Sequence, residues 1–304
     1  MKWIVGVSII AIAMGWAATS TIPAAAISID ETALKFLPPE TEGIAFIDVA
    51  ALRDAPLVQE TLKGKPLGLP KGFGDFAAAT GFDPQRDVDK VTIGKIGARE
   101  PLVIVQGRID KFKVEQYLRD KGKEPEGYLG QTLYHDGDGA FVVLNDIALM
   151  GHTDAVKKAI DQMQLPGSVP LRSDLMAAIQ TIEAGSQVWA IGDFSIRDLG
   201  AAGVRGPAPA LEMLKSLKGG TYHMRIDTGV HARATGSFAD AESAKNLGDM
   251  ARGLLAVVKL QVAKQQPDLL RVLDGIQVSN SGAILTVSVE EPGELLSRQL
   301  RQLR

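Results

Sequence analysis

The sequence predicts an α+β protein in which helices decorate antiparallel sheet, laid out as two tandem repeats. Three observations carry this expectation. Short apolar or alternating runs come in adjacent pairs joined by tight turns such as Asn145-Asp146 and Asp227-Thr228-Gly229, which marks hairpins. Segments of helical spacing lie between the pairs, opened by capping residues such as Asp110 and Thr153. The order of elements then recurs, once over residues 40–164 and again over 170–300. Alternating strands and helices also suit a parallel sheet, but two-residue hairpins join only antiparallel strands.

In the first half, Ile44 to Val49 reads as a buried strand, Ala51 to Leu62 as a helix, and Gly64 to Gly74, with Pro66 and Pro70, as a loop. A helix at Phe73 to Thr80 is followed by a hairpin of Val91–Ile96 and Leu102–Gln106, then by a helix running from its cap Asp110 to Asp120. Gln131–His135, Ala140–Leu144 and Ile147–Met150 form a meander. Val156, Ala159, Ile160 and Met163 then recur at helical spacing behind Thr153. The Gly/Pro-containing stretch Leu165 to Pro170 reads as a boundary.

The second half opens with a helix at Leu175–Ile182 and a strand at Gln187–Ile191, which ends in Asp193 as the earlier strand ends in Asp48. A loop at Gly200 to Pro209, a helix at Ala210–Leu217 and a hairpin of Thr221–Ile226 and Val230–Thr235 follow. "GSFADAESAKNL" at Gly236 matches "GRIDKFKVEQYL" at Gly107 in layout: glycine, hydrophobe, cap, helix. "SGAILTVSV" at Ser281 parallels "DGAFVVLND" at Asp138.

The chain has 304 residues, of which 45% are hydrophobic and 23% charged, enough to bury a core and to exclude wholesale disorder. Its 33 basic and 36 acidic side chains are evenly mixed, which argues against a nucleic-acid binder with its concentrated basic face. No cysteine is present, so disulfides, thiolate metal sites, iron–sulfur clusters, cysteine nucleophiles and a lipoprotein anchor are excluded.

Met1-Lys2 followed by the apolar run Trp3 to Ala18, the polar breakers Thr19 to Thr21 and Pro23, and small residues at Ala24 and Ala26 make a secretory signal cleaved after Ala26. Cleavage removes one lysine and leaves 32 basic against 36 acidic side chains. The rival reading keeps residues 3–18 as a membrane anchor, since a span needs about 20 apolar residues. The organisation expected is thus a signal peptide over 1–26 and two repeats over 27–164 and 165–304.

Few residues carry a chemical signal. If Ile226 faces Val230 across its turn, Tyr222, Met224, Ile226, Val230, Ala232 and Ala234 share an apolar face. The opposite face then carries His223, Arg225, His231 and Arg233, either a binding site for a phosphate, carboxylate or anionic polymer or an ordinary solvated face. A metal is not expected there, because the arginines repel it. Asp48 and Asp193 recur at equivalent points and are either paired acids or helix and turn caps. His135 before Asp136-Gly137-Asp138-Gly139 lacks the spacing of a calcium loop. There is no phosphate-binding glycine motif, no G-x-S-x-G elbow, no H-E-x-x-H and no S-x-x-K, and no cofactor is implied. Leu247, Ala251, Leu254, Val258 and Val262 form a helical stripe that packs on a sheet or, where exposed, marks a partner or lipid surface. Leu296, Leu300 and Leu303 alternate with Arg298, Arg301 and Arg304, suiting a helix end or anionic lipid.

The phrases "LPPETEGIAFIDVAALRDAPLVQ", "IALMGHTDAVKKAI" and "PDLLRVLDGIQVSNSGAILTVSV" resemble those of exported bacterial proteins of unknown function with a signal peptide and tandem α+β repeats. That resemblance implies an extracytoplasmic location and brings no active-site residues with it. The function expected is a non-enzymatic binding or scaffold protein of the periplasm or cell envelope, whose partner is an envelope protein, a polymer or a lipid. The alternatives are an extracytoplasmic hydrolase using Asp48 and Asp193 or His223 and His231, and a structural envelope protein anchored by residues 3–18.

Overall fold

The computed structural model describes residues 31–62, 73–97, 101–165, 171–193, 212, 214–263 and 266–293. The apolar run 3–18 and the cleavage pair Ala24 and Ala26 lie outside these residues. So do most of the 64–74 loop, the 166–170 boundary, the 200–209 loop and the Leu/Arg run 296–304. The described residues group into two units, one of 31–53 and 73–181, the other of 54–62 and 182–293. Each is an antiparallel sheet with helices, as the hairpin pattern predicts.

The first unit begins with α1 (Glu31–Leu34), β1 (Gly43–Asp48) and α2 (Val49–Asp54). The single helix expected at 51–62 is two, because Pro56 lacks an amide proton and clashes with a preceding helical turn. The second piece, α3 (Pro56–Leu62), belongs to the second unit, where the Leu57 amide donates to the Asp227 carbonyl at 3.3 Å. Next come α4 (Phe73–Thr80), α5 (Pro84–Asp87), β2 (Val88–Lys95), β3 (Pro101–Gly107) and α6 (Lys111–Asp120). Then follow β4 (Pro125–Tyr128), β5 (Gln131–Asp136), β6 (Gly139–Leu144), β7 (Ile147–His152), α7 (Thr153–Gln164) and α8 (Ser173–Ile179). The strand order is β1-β2-β3-β7-β6-β5-β4. β4 escapes the sequence pattern because Pro125 and Gly127 disfavour a strand interior, and it stands at the edge, where a missing amide proton costs no ladder bond.

Periodicity tells which sides are covered. α6 is capped by Asp110, whose carboxylate accepts from the Lys113 amide at 3.1 Å, and it buries Val114 and Leu118 against Tyr134 and Val143. α7 buries Ala155, Val156, Ala159 and Ile160, while Met163, expected on the same face, is exposed. Its cap is His152 rather than Thr153: the His152 ring nitrogen Nδ1 faces the Asp154 amide at 3.4 Å. On β6, Val142 and Val143 point to opposite faces and both are buried, so this strand is covered on its two sides.

The second unit continues with β8 (Val188–Gly192), a short 3-10 turn at Leu214–Ser216, β9 (Leu217–Ile226) and β10 (Gly229–Phe238). After these come α9 (Ala241–Val262), α10 (Pro267–Asp274), β11 (Ile276–Ser281) and β12 (Ile284–Pro292). The strand order is β8-β9-β10-β12-β11. The helix expected up to Leu217 ends earlier, since Leu217 already belongs to β9. Asp240 caps α9 by accepting from the Ser243 amide at 2.7 Å.

Gly107 marks a close approach in the first unit. A Cβ there would fall 1.9 Å from the carbonyl oxygen of Asp87, which also accepts from the Arg108 amide at 2.7 Å. Gly107→Ala is therefore expected to cost about 2 kcal/mol or more, read as a lowered urea midpoint with unchanged slope.

Candidate functional site

The register taken as a condition for the second hairpin is the one observed. Ile226 pairs with Val230, Arg225 with His231 and His223 with Arg233. Tyr222, Met224, Ile226, Val230, Ala232 and Ala234 therefore share one face, and the four basic residues share the other. The Tyr222 hydroxyl faces the Met224 sulfur at 3.4 Å, and burial pushes it up to about 12.

The basic face is not the solvated surface that its composition suggests. His223, Arg225 and His231 are buried, and only Arg233 is exposed. The cover is the segment between α8 and β8. Glu183 accepts from the Arg225 guanidinium at 2.6 Å, and Gly185 lies against the Arg225 side chain. The Gln187 amide brackets the backbone of Ile226 with two bonds of 2.7 Å, one donated and one accepted. Arg225 also meets His231 and lies 3.4 Å from the Asp227 carboxylate. Its charge is thus answered by two acids, which leaves this network electrically closed and stabilising, with Arg225 no longer offered to an outside anion.

His223 differs from its neighbours. It stands between Trp189 of β8 and Arg233 of β10, is 4% exposed, and neither ring nitrogen has a hydrogen-bond partner. The Glu183 carboxylate, at 3.8 Å, is beyond hydrogen-bond reach. Burial lowers the His223 pKa below its ordinary value, Glu183 works against that, and Arg233 and Arg225 add to it. The ring is therefore neutral at physiological pH.

Asp48 has the capping role: its carboxylate accepts from the Ala51 amide at 2.8 Å, fixing the first turn of α2. Asp193 is an exposed residue directly after β8. The two acids belong to different units. In the first unit His135 contacts Glu126 at 2.6 Å, and Lys157 contacts the same carboxylate at 2.8 Å, holding it below the usual range. Among the described residues no three His, Asp or Glu side chains gather as metal ligands.

A different surface was legible only as a stripe. α9 packs its amino-terminal half on the sheet, burying Ala244 and Gly248 above a cluster of Phe238 and Leu285. A Cβ on Gly248 would lie 3.0 Å from the Leu285 side chain, so a small residue lets the helix approach. Beyond Arg252 the apolar side chains divide, with Leu255 and Val262 half-buried on the inner side and a larger number turned outward. Leu254, Val257, Val258 and Leu260 are 40–78% exposed. Of the two readings of the stripe, its members Leu254 and Val258 take the exposed one. At 100° per residue, Leu254, Val257, Val258 and Leu260 fall within an arc of about 160° that excludes the buried side holding Ala244 and Gly248. From Met250 to Gln266 the chain carries Arg252, Lys259 and Lys264 and no acid. Among the described residues no helix is long and apolar enough to cross a membrane.

No protein-family model matches the chain. No curated protein matches it in sequence. The fold resembles that of TP0453. Its crystal form III aligns over 89% of this chain and 97% of TP0453, with 10% identity and a TM-score of 0.54. Crystal forms IV and I align over 88% and 92% of this chain and 95% and 98% of TP0453, at 9% and 10% identity and a TM-score of 0.48 in each case. The likeness to TP0453 is one of fold.

Two outcomes test the closed network. Arg225→Ala should cost about 1.5 kcal/mol, because it removes a buried guanidinium and its packing while Glu183 keeps contact with water, whereas Arg233→Ala should stay within about 0.5 kcal/mol, both read by denaturant unfolding. His223 is held neutral, so the unfolded chain takes up its proton first as pH falls below 6.5, and stability is lost as pH falls on toward the lower folded value. His223→Leu should flatten that acid limb in melts at about pH 5 relative to about pH 7.5.

Proposed function

We propose that this chain is an exported, non-enzymatic protein of the cell envelope that attaches to an anionic lipid surface through the carboxyl-terminal half of α9. The observation that carries this reading is the cluster of Leu254, Val257, Val258 and Leu260 left exposed on a well-anchored helix. Apolar side chains at such density favour withdrawal from water, at roughly 25 cal/mol for each Å² removed. No acid between Met250 and Gln266 stands to repel a surface of anionic headgroups. The secretory signal at residues 1–26, which implies a periplasmic or envelope destination, supports the same reading.

The tandem repeat belongs to this proposal. The strand orders β1-β2-β3-β7-β6 and β8-β9-β10-β12-β11 coincide, and in both units a glycine-bearing strand leads through an aspartate cap, Asp110 or Asp240, into a helix. The pairing of "SGAILTVSV" with "DGAFVVLND" is one strand out: the former is β12, whose place beside β10 corresponds to β7 beside β3, whereas the latter is β6. Repeats over 27–164 and 165–304 then form a scaffold of which the second carries the attachment helix.

The test is sedimentation of the processed exported chain with phosphatidylglycerol and with phosphatidylcholine vesicles. Wild type should bind the anionic vesicles and lose binding at about 0.5 M salt, where screening is short-ranged. Leu254→Glu with Leu260→Glu should weaken binding at least about tenfold without changing the melt, since both positions are exposed. Undiminished binding by the double variant would sink the proposal.

A further inference from the structure

Glu291 of β12 pairs across the ladder with Val230 and is 1% exposed, on the face of the sheet that α9 and α10 cover. Neither carboxyl oxygen has a hydrogen-bond partner. The group is wedged against the end of α10. A Cβ built on Gly275, the residue after that helix, would fall 2.2 Å from Glu291 Oε1 and 2.2 Å from the Glu290 carbonyl oxygen. The Gly275 carbonyl in turn accepts from the Glu290 amide at 3.0 Å, so helix end, strand and buried acid form one joint.

The surroundings offer an ionised carboxylate nothing. α10 brings Asp274, a like charge, itself bound to Lys259 of α9 at 2.9 Å. β10 brings Val230, and β11 brings Ile276 opposite Val289. α3 brings Leu57 to the adjacent Gly293. Glu290 is exposed, and His231, its partner on β10, points to the other face. Burial pushes Glu291 up to about 7, the Gly275 N–H draws it down without closing a hydrogen bond, and Asp274 raises it further. α10 is held only lightly. None of its residues is fully buried, and Leu269, Leu270, Val272 and Leu273 are half-buried.

We propose that the seat of α10 is a proton-gated contact: with Glu291 protonated the helix stays on the sheet, and with Glu291 ionised it lifts, adding its apolar side to the lipid-binding surface of α9. The consequence for lipid rests on the attachment proposed above, whereas the release of α10 does not. An acid whose value is raised in the seated state favours that state at low pH, and the seat weakens as pH climbs from 4.5 through 7. If the lifted acid regains its ordinary value, the opening equilibrium grows roughly thirtyfold between about pH 5.5 and about pH 8.5.

Amide hydrogen exchange of the processed exported chain at those two pH values, corrected for intrinsic rates, measures the release. Protection of α10 and β11 should fall at least about tenfold at the higher pH in wild type, with β1 to β3 as an internal reference. Glu291→Gln, neutral and nearly isosteric, should abolish the difference, and Asp274→Asn should shrink it. Equal protection at both pH values in wild type, or a difference that survives in Glu291→Gln, overturns the gate. Phosphatidylglycerol vesicle binding by wild type and Glu291→Gln, compared at each pH, tests the coupling: wild type should bind at least about threefold more tightly than the variant at the higher pH and equally at the lower. Binding that depends on Leu254 and Leu260 but not on Glu291 overturns the coupling and leaves attachment standing. An exchange difference with no vesicle binding in any variant overturns attachment and leaves the gate.

Discussion

The pairing of β9 with β10 is the constraint on which the second unit depends. From Ile226–Val230 to Gly219–Ser237 the two strands keep one register, along which side chains alternate, before a bulge at Ser237/Phe238 shifts it. A slip of one residue would send Tyr222, Met224 and Ile226 to the side occupied by His223 and Arg225, and bury guanidinium groups under α9. The same ladder extends to β12, so it also decides that Leu285 meets Gly248 of α9 and that Glu291 is shut in beneath the end of α10. One register thus sets an ion-pair network on one face and an apolar seat containing a solitary acid on the other.

These two faces respond oppositely to pH. His223, uncharged and unpartnered, resists acid poorly because its unfolded form takes up a proton more readily. Glu291 resists base poorly because its unfolded form gives one up more readily. Both are buried polar groups without a partner, an arrangement that folded proteins tolerate only where surrounding packing over-determines it. In His223 that packing is Trp189 and the covered end of the hairpin; in Glu291 it is a joint made with a helix that buries none of its residues fully.

α9 shows how one helix can be anchored and exposed at once. Its first half has small residues, Ala244 and Gly248, facing a sheet, and a cap at Asp240. Its second half keeps its apolar content but turns four large side chains outward. Hydrophobic periodicity gives the phase of a stripe and not what lies opposite it, which is why the sequence leaves Leu254 and Val258 open between a sheet contact and an exposed surface. Whether such a stripe meets a strand or water depends on how far the sheet extends beneath it.

Local signals in the sequence carried most of the strands and helices, the antiparallel hairpins, the cap at Asp110 and the two faces that follow if Ile226 meets Val230, because alternation, turn residues and capping chemistry are properties of a few neighbouring residues. The break at Pro56 was equally local, and β4 was hidden because Pro125 and Gly127 are tolerable only at an edge. Tertiary structure decided the rest. Glu183 and Gln187 stand about 40 residues from the arginine and the backbone they satisfy, and no periodicity connects them to it. The burial of His223 and Glu291, and the exposure of Leu254 to Leu260, likewise follow from which distant segment covers which face. Chain alternation chooses the side of a sheet on which a residue lies, and only three-dimensional packing chooses whether that side is wet.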